Sequence, residues 1–151
     1  SDWKAGFTPW TFEASVPSAG STTKIGYDFW SGYNDYSEEW NYDTTKDAYT
    51  RKNGGTASID LNNDEPIAAK NVVVMLTTEK GPINEAKHML YTTTGTGEAL
   101  IFKHGQAPIE ATWSKKSRTD ELEFLVGGKP VEMARGLTWI SVLGTGCEVE
   151  Y

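Results

Sequence analysis

This chain of 151 residues is poor in the side chains that most often carry chemistry: it has one cysteine, Cys147, and two histidines, His88 and His104. A single cysteine excludes an intrachain disulfide. With no second cysteine or dense histidine cluster beside it, the usual zinc arrangements are excluded too. Cys147 is expected to act as a small buried apolar residue near the last strand. The histidines stand sixteen residues apart, outside any H-E-x-x-H or comparable ligand spacing. No G-x-S-x-G nucleophile elbow occurs. Gly95-Thr96-Gly97 and Gly144-Thr145-Gly146 lack the lysine and following helix of a phosphate loop, and read as turns. No catalytic residue, metal site or cofactor is therefore assigned, although a Ser-His-Asp triad is recognised by geometry and stays open.

Other shortages narrow the partners. No apolar run approaches the roughly 18 residues of a membrane span. The start, Ser1-Asp2-Trp3-Lys4, has neither the charged nor the apolar region of a signal peptide and no methionine. The chain is expected to be a soluble mature or excised domain whose anchor or export signal lies upstream. Lysine and arginine number 14 against 21 acidic residues, a net charge of −7, which repels a phosphate backbone and argues against nucleic acid.

What the chain does have is aromatic residues and turns. Six tryptophans, seven tyrosines and five phenylalanines suit strands, and also suit recognition of sugars or peptides through flat faces. Lys24 to Trp30 alternates Ile25, Tyr27 and Phe29 against Gly26 and Asp28, the period of a half-buried strand. Asp43 to Asp47 reads as a hairpin loop between aromatic runs, and Asn53-Gly54-Gly55 as a tight turn. Asn71 to Thr78, nearly all β-branched or apolar, reads as a central strand covered on both faces. Further strands are expected at 87–93, 98–104, 109–114, 121–126, 130–133 and 137–143, cut by glycines. Gly81 to Met89 has the only helical flavour, one or two turns at most. The expectation is one all-β domain over residues 1–151, mainly antiparallel, a sandwich or open barrel. Residues 1–23 form an extended, partly mobile segment pinned by Phe7, Trp10 and Phe12, and 24–151 form the β core.

Chemistry-bearing clusters are few. Asp60, Asn62 and Asp64 occupy the first, third and fifth places of a calcium loop, but Glu65 stands where the glycine belongs and Asn71 where the bidentate glutamate belongs, so a polar turn is the better reading. Glu38-Glu39 and Asp120-Glu121 read as acidic surface rather than a glycosidase pair. The candidate ligand-binding residues are Trp113, Lys115, Lys116, Ser117, Arg118 and Asp120, where three cations and a hydroxyl gather beside an indole in an otherwise acidic chain. Trp113 would be a stacking platform, with Lys115 and Arg118 as anion partners. The alternative is a solvated loop after a core strand. Arg51 is a secondary candidate, and so is Trp139, although apolar neighbours favour a core role for it.

Six motifs lie in one order: Trp40-Asn41-Tyr42-Asp43, Tyr49-Thr50-Arg51 followed by Gly54, Ala69 to Val74, Gly97 to Gly105, Ala111 to Ser117, and Gly136 to Ile140. In them the chain resembles the C-terminal domain of the YerB-type bacterial lipoproteins, a domain of unknown function, from about residue 24 to 143. The resemblance implies a two-domain protein of a Gram-positive-type bacterium, held to the outer face of the membrane by a lipidated cysteine. Neither that cysteine nor the N-terminal domain lies in this chain, so membrane association would run only through that anchor. The family carries no catalytic or ligand residues over to this sequence, and residues 144–151 extend beyond its pattern.

These readings converge on an extracytoplasmic domain that binds a cell-envelope component, peptidoglycan or a protein partner, without catalysis. Two alternatives stand beside it. One is a wall hydrolase or transferase sharing its site with the absent domain, which a pocket holding a histidine beside a serine or carboxylate would support. The other is a scaffold, marked by a surface without a cleft or aromatic patch.

Overall fold

The run Asn71-Val72-Val73-Val74-Met75 has no polar alternation because neither face of that strand meets water, and the fold is built around it. A computed structural model describes residues 10–28, 37–53, 56–57, 59–60, 65–77, 79–80, 90–91, 94–117 and 119–151. Within these residues the strands in chain order are β1 Lys24–Asp28, β2 Ser37–Asp43, β3 Ala48–Asn53, β4 Thr56–Ala57, β5 Ile59–Asp60, β6 Glu65–Pro66, β7 Ala68–Ala69 and β8 Asn71–Thr77. They continue with β9 Glu79–Lys80, β10 Leu90–Tyr91, β11 Gly95–Lys103, β12 Ile109–Lys115, β13 Glu123–Val126, β14 Lys129–Pro130, β15 Thr138–Gly144 and β16 Val149–Glu150.

The fold is all-β, two mostly antiparallel sheets stacked like a sandwich and not closed into a barrel. The first sheet runs β16-β1-β2-β3-β4, with β7 also on β3. The second runs β14-β13-β12-β11-β8-β15. Two short pairs, β5-β6 and β9-β10, are hydrogen-bonded into neither sheet. Among the described strands one pair is parallel: β15 lies beside β8 with Thr138 opposite Asn71 and Gly144 opposite Thr77. The mainly antiparallel arrangement expected from turn spacing leaves room for this pair, which gives no hairpin signal of its own because it needs a long crossover.

Alternation along β8 feeds two apolar clusters. Val72 and Val74 point between the sheets with Ile25, Tyr27, Trp40, Tyr49, Phe102 and Leu143. Val73 and Met75 point the other way, with Ile101, Trp113, Phe124 and Met133. That outer face is closed by the N-terminal segment, which acts as a strap. Phe12 bridges Met133 in parallel; Glu13 N–H donates to Met133 O at 2.9 Å and Met133 N–H to Thr11 O at 2.8 Å. Trp10 packs edge-on against Phe124 and donates from Nε1 to Leu122 O at 2.9 Å. Of the three aromatics expected to pin this segment, Trp10 does so, Phe12 is 41% exposed, and Phe7 lies outside the described residues. The strand expected over 130–133 is shorter: Val131 N–H still donates to Phe124 O at 2.9 Å, but Met133 is bonded to the strap instead.

The β2-β3 hairpin turns where expected. Asp43 Oδ1 accepts the Thr45 and Lys46 amides at 2.9 and 3.2 Å, an Asx turn. Asp47 closes it at φ +47°, a conformation that aspartate tolerates better than most residues. Cys147 is half-buried, packed on the inter-sheet cluster after β15. Gly54, Gly55, the core of the calcium-like loop, His88 and the helical stretch 81–89 lie outside the described residues.

Candidate functional site

Register decides the fate of the cluster after Ala111. On β12 the odd-numbered side chains turn to the strap side of the second sheet, so Trp113 is interior at 1% exposure. Its indole N–H donates to Leu76 O at 2.9 Å. Gly97 sits directly opposite, where an added Cβ would come within 2.4 Å of the Trp113 nitrogen. The expected stacking platform is therefore a core residue: its ring faces a glycine, not solvent. Lys115 ends β12, half-buried and opposite Gly95; Lys116 and Asp120 are exposed. Ser117 Oγ lies 3.1 Å from Thr119 Oγ1. Arg118 lies outside the described residues.

Arg51 is drawn into a different group. Its Nε donates to Glu38 Oε1 at 3.2 Å and its Nη2 donates to the same oxygen. The guanidinium carbon stands 4.4 Å from the Trp139 ring centre. Glu38 is 4% exposed. Its other oxygen accepts the Tyr27 hydroxyl at 2.8 Å, and Ser141 Oγ lies 2.6 Å from the same phenol oxygen. Trp40 Nε1 donates to Tyr27 at 3.1 Å and Trp139 Nε1 to Ser141 at 3.2 Å. Burial first, and the Glu38 charge second, hold the Tyr27 phenol well above the ordinary phenol range. Thus Arg51 and Trp139, both secondary candidates, meet here. Their partners Glu38, Tyr27 and Ser141 were missed, and only the alternation of Glu38, Trp40 and Tyr42 along β2 hinted that Glu38 faces inward.

A second polar group joins the strap to the hairpin. His104, 3% exposed and at φ +55°, is held between two carboxylates. Its Nδ1 is 2.8 Å from Asp47 Oδ2 and its Nε2 is 2.8 Å from Glu13 Oε2. Lys103 donates to Glu13 Oε1 at 2.5 Å, and Tyr42 donates to Asp47 Oδ1 at 2.6 Å. A hollow of about 120 Å³ beside them is lined by Ser15, Lys70, His104 and Arg135 among others. Both imidazole nitrogens already face carboxylates, so neither is left to activate a hydroxyl. Motif residues Tyr42, Tyr49 and Gly105 pack alongside: the Gly105 amide donates to the Tyr49 hydroxyl at 2.9 Å, and a Cβ at Gly105 would strike the Tyr42 ring at 2.6 Å.

A larger open concavity lies elsewhere. The first sheet ends at β16 and leaves part of the second sheet's inner face uncovered, forming a hollow of about 520 Å³. Leu76, Leu100 and Val149 give it an apolar floor, with Glu98, Glu110 and Thr112 around it. Tyr151, 64% exposed, sits at its edge with its ring 5.6 Å from Phe102. Among the described residues no group of three metal-ligating side chains occurs.

This β sandwich belongs to the family described as a protein of unknown function (DUF3048), C-terminal domain, whose model matches residues 27–140. Among individual proteins it is similar to the "Putative lipoprotein YerB" of Bacillus subtilis (strain 168), at 27% identity over 113 residues, covering 70% of this chain and 30% of that protein. A crystal structure of the YerB protein from Bacillus subtilis shares the fold, with a TM-score of 0.74 at 22% identity over 95% of this chain and 47% of the solved one. The chain thus spans about a third of the length of that relative.

Proposed function

We propose that this is a non-catalytic binding module of an extracytoplasmic, lipid-anchored protein, taking a cell-envelope component on the uncovered face of β11 and β12. The observation that carries the reading is the hollow of about 520 Å³, which falls within the roughly 300–1,000 Å³ of ordinary ligand sites and combines an apolar floor with a few polar groups. A cleft with the exposed aromatic ring of Tyr151 at its edge favours binding over a scaffold role. Lys116, Ser117 and Asp120, in the loop that continues β12, would flank the ligand, whereas Lys115 turns to the opposite face. The relative's lipoprotein name supports the compartment. The test is a titration of the isotope-labelled domain with soluble peptidoglycan fragments, followed by backbone NMR. Shifts clustered on Glu98, Leu100, Thr112 and Tyr151 are expected; an unmoved spectrum at millimolar fragment would exclude wall binding by this domain.

The hydrolase reading draws on one observation, His104 lining a hollow with Ser15. It is the weaker reading because both ring nitrogens are already engaged. Turnover of wall polymer by the full-length protein that is abolished by His104→Asn, with the fold intact, would reinstate it.

A further inference from the structure

Charge on the second sheet is sorted by face. Residues paired across strands share a face, and side chains alternate along each strand. The registers Glu98↔Thr112, Leu100↔Glu110, Thr112↔Leu125 and Ser114↔Glu123 therefore set Glu98, Glu110 and Glu123 on the side that the first sheet leaves open, interleaved with Leu100, Thr112 and Leu125. Lys103, Lys115 and Lys129 alternate onto the opposite, strap side. Among the described residues of β11 to β14, no lysine or arginine lies on the open face, and no ion pair engages its three glutamates. Glu98 and Glu110 line the hollow with no cation paired to them among the described residues.

We propose that this face docks a basic peptide segment of a protein partner, laid in extended form along β11 and β12. The inference rests on reading the face as a binding surface and specifies what occupies it. Glu98 and Glu110 are diagonal neighbours on adjacent strands, a separation of roughly 7 Å. Side chains two apart on an extended peptide are spaced by about the same distance. A Lys-x-Lys segment thus sets both ammonium groups against both carboxylates. Apolar side chains beside them meet Leu76, Leu100 and Val149, and the Tyr151 ring offers a cation its face. An acidic ligand is repelled, and a neutral glycan leaves both carboxylates unpaired.

The test is a calorimetric and NMR titration of the domain with a synthetic peptide of alternating lysine and leucine, beside the same peptide with glutamate in place of lysine. The lysine peptide is expected to bind in a salt-sensitive way, with shifts confined to Glu98, Leu100, Thr112 and Tyr151. Glu98→Gln with Glu110→Gln should weaken it tenfold or more. The melting temperature should hold, because both glutamates are exposed and outside any ion pair among the described residues. Equal binding by the glutamine variant, equal binding of the glutamate peptide, or no binding at all would overturn the proposal. If peptidoglycan fragments shift these same residues while the lysine peptide does not, the peptide occupant is refuted and the binding module stands. If neither ligand moves the face, both readings fall.

Discussion

Arg51 holds a buried carboxylate on one side and an indole on the other, and the balance between them is testable. Removing one partner of a buried ion pair strands the other charge away from water, at a cost of about 3–5 kcal/mol. Arg51→Met should lower stability by about that amount in urea denaturation, and adding Glu38→Gln should recover part of it, since the stranded charge is then gone. A loss below about 1 kcal/mol in the single variant would mean that water takes over the place of Arg51 at Glu38. The motif Tyr49-Thr50-Arg51 made the arginine legible in the sequence. Glu38 was not, because Glu38-Glu39 looks like any acidic surface pair until strand register shows that one faces Tyr27 and the other faces Lys24. Trp113 shows the converse: an indole flanked by Ser114 and Lys115 read as a binding platform, and a phase of one residue along β12 made it core.

At the scale of elements, the first sheet lines its inner side with phenols from three successive strands: Tyr27 on β1, Tyr42 on β2 and Tyr49 on β3. Burial is the leading cause that raises each of them, reinforced by Glu38 at Tyr27 and by Asp47 at Tyr42 and Tyr49. Tyr49 is pushed from 10.0 up to about 12. A raised folded value means that the neutral phenol favours the fold. Its contribution is complete below pH 10 and drains away as the pH climbs toward 12 and beyond, where the unfolded chain holds fewer protons than the folded one. Stability should therefore fall steeply above pH 10. Ultraviolet difference spectra should show these tyrosines ionising together with loss of near-ultraviolet circular dichroism, after the exposed ones. Ionisation near pH 10 with the fold intact would refute it. The turns and the apolar run of β8 were legible because glycine spacing and unbroken hydrophobicity are local signals. The parallel seating of β15 and the strap's closure of the outer face were not, because both depend on partners more than 60 residues away.

Taken whole, the described residues form two apolar clusters joined through the second sheet. β8 supplies both, Val74 to the space between the sheets and Val73 to the face beneath the strap. β11 does the same with Phe102 and Ile101. A strand whose neighbouring side chains anchor opposite clusters cannot leave one of them while remaining in the other. The chain should unfold as a single cooperative unit although it spans only about a third of its relative's length. Val74→Ala and Val73→Ala each remove buried methyl groups and leave a void, a loss of about 2 kcal/mol apiece. Both should shift one and the same transition, recorded by amide signals from the first sheet and from the strap alike. Two separable transitions, one moved by Val74→Ala and the other by Val73→Ala, would show instead that strap and sandwich are independent, and that the outer cluster is a docked layer rather than part of the domain's core.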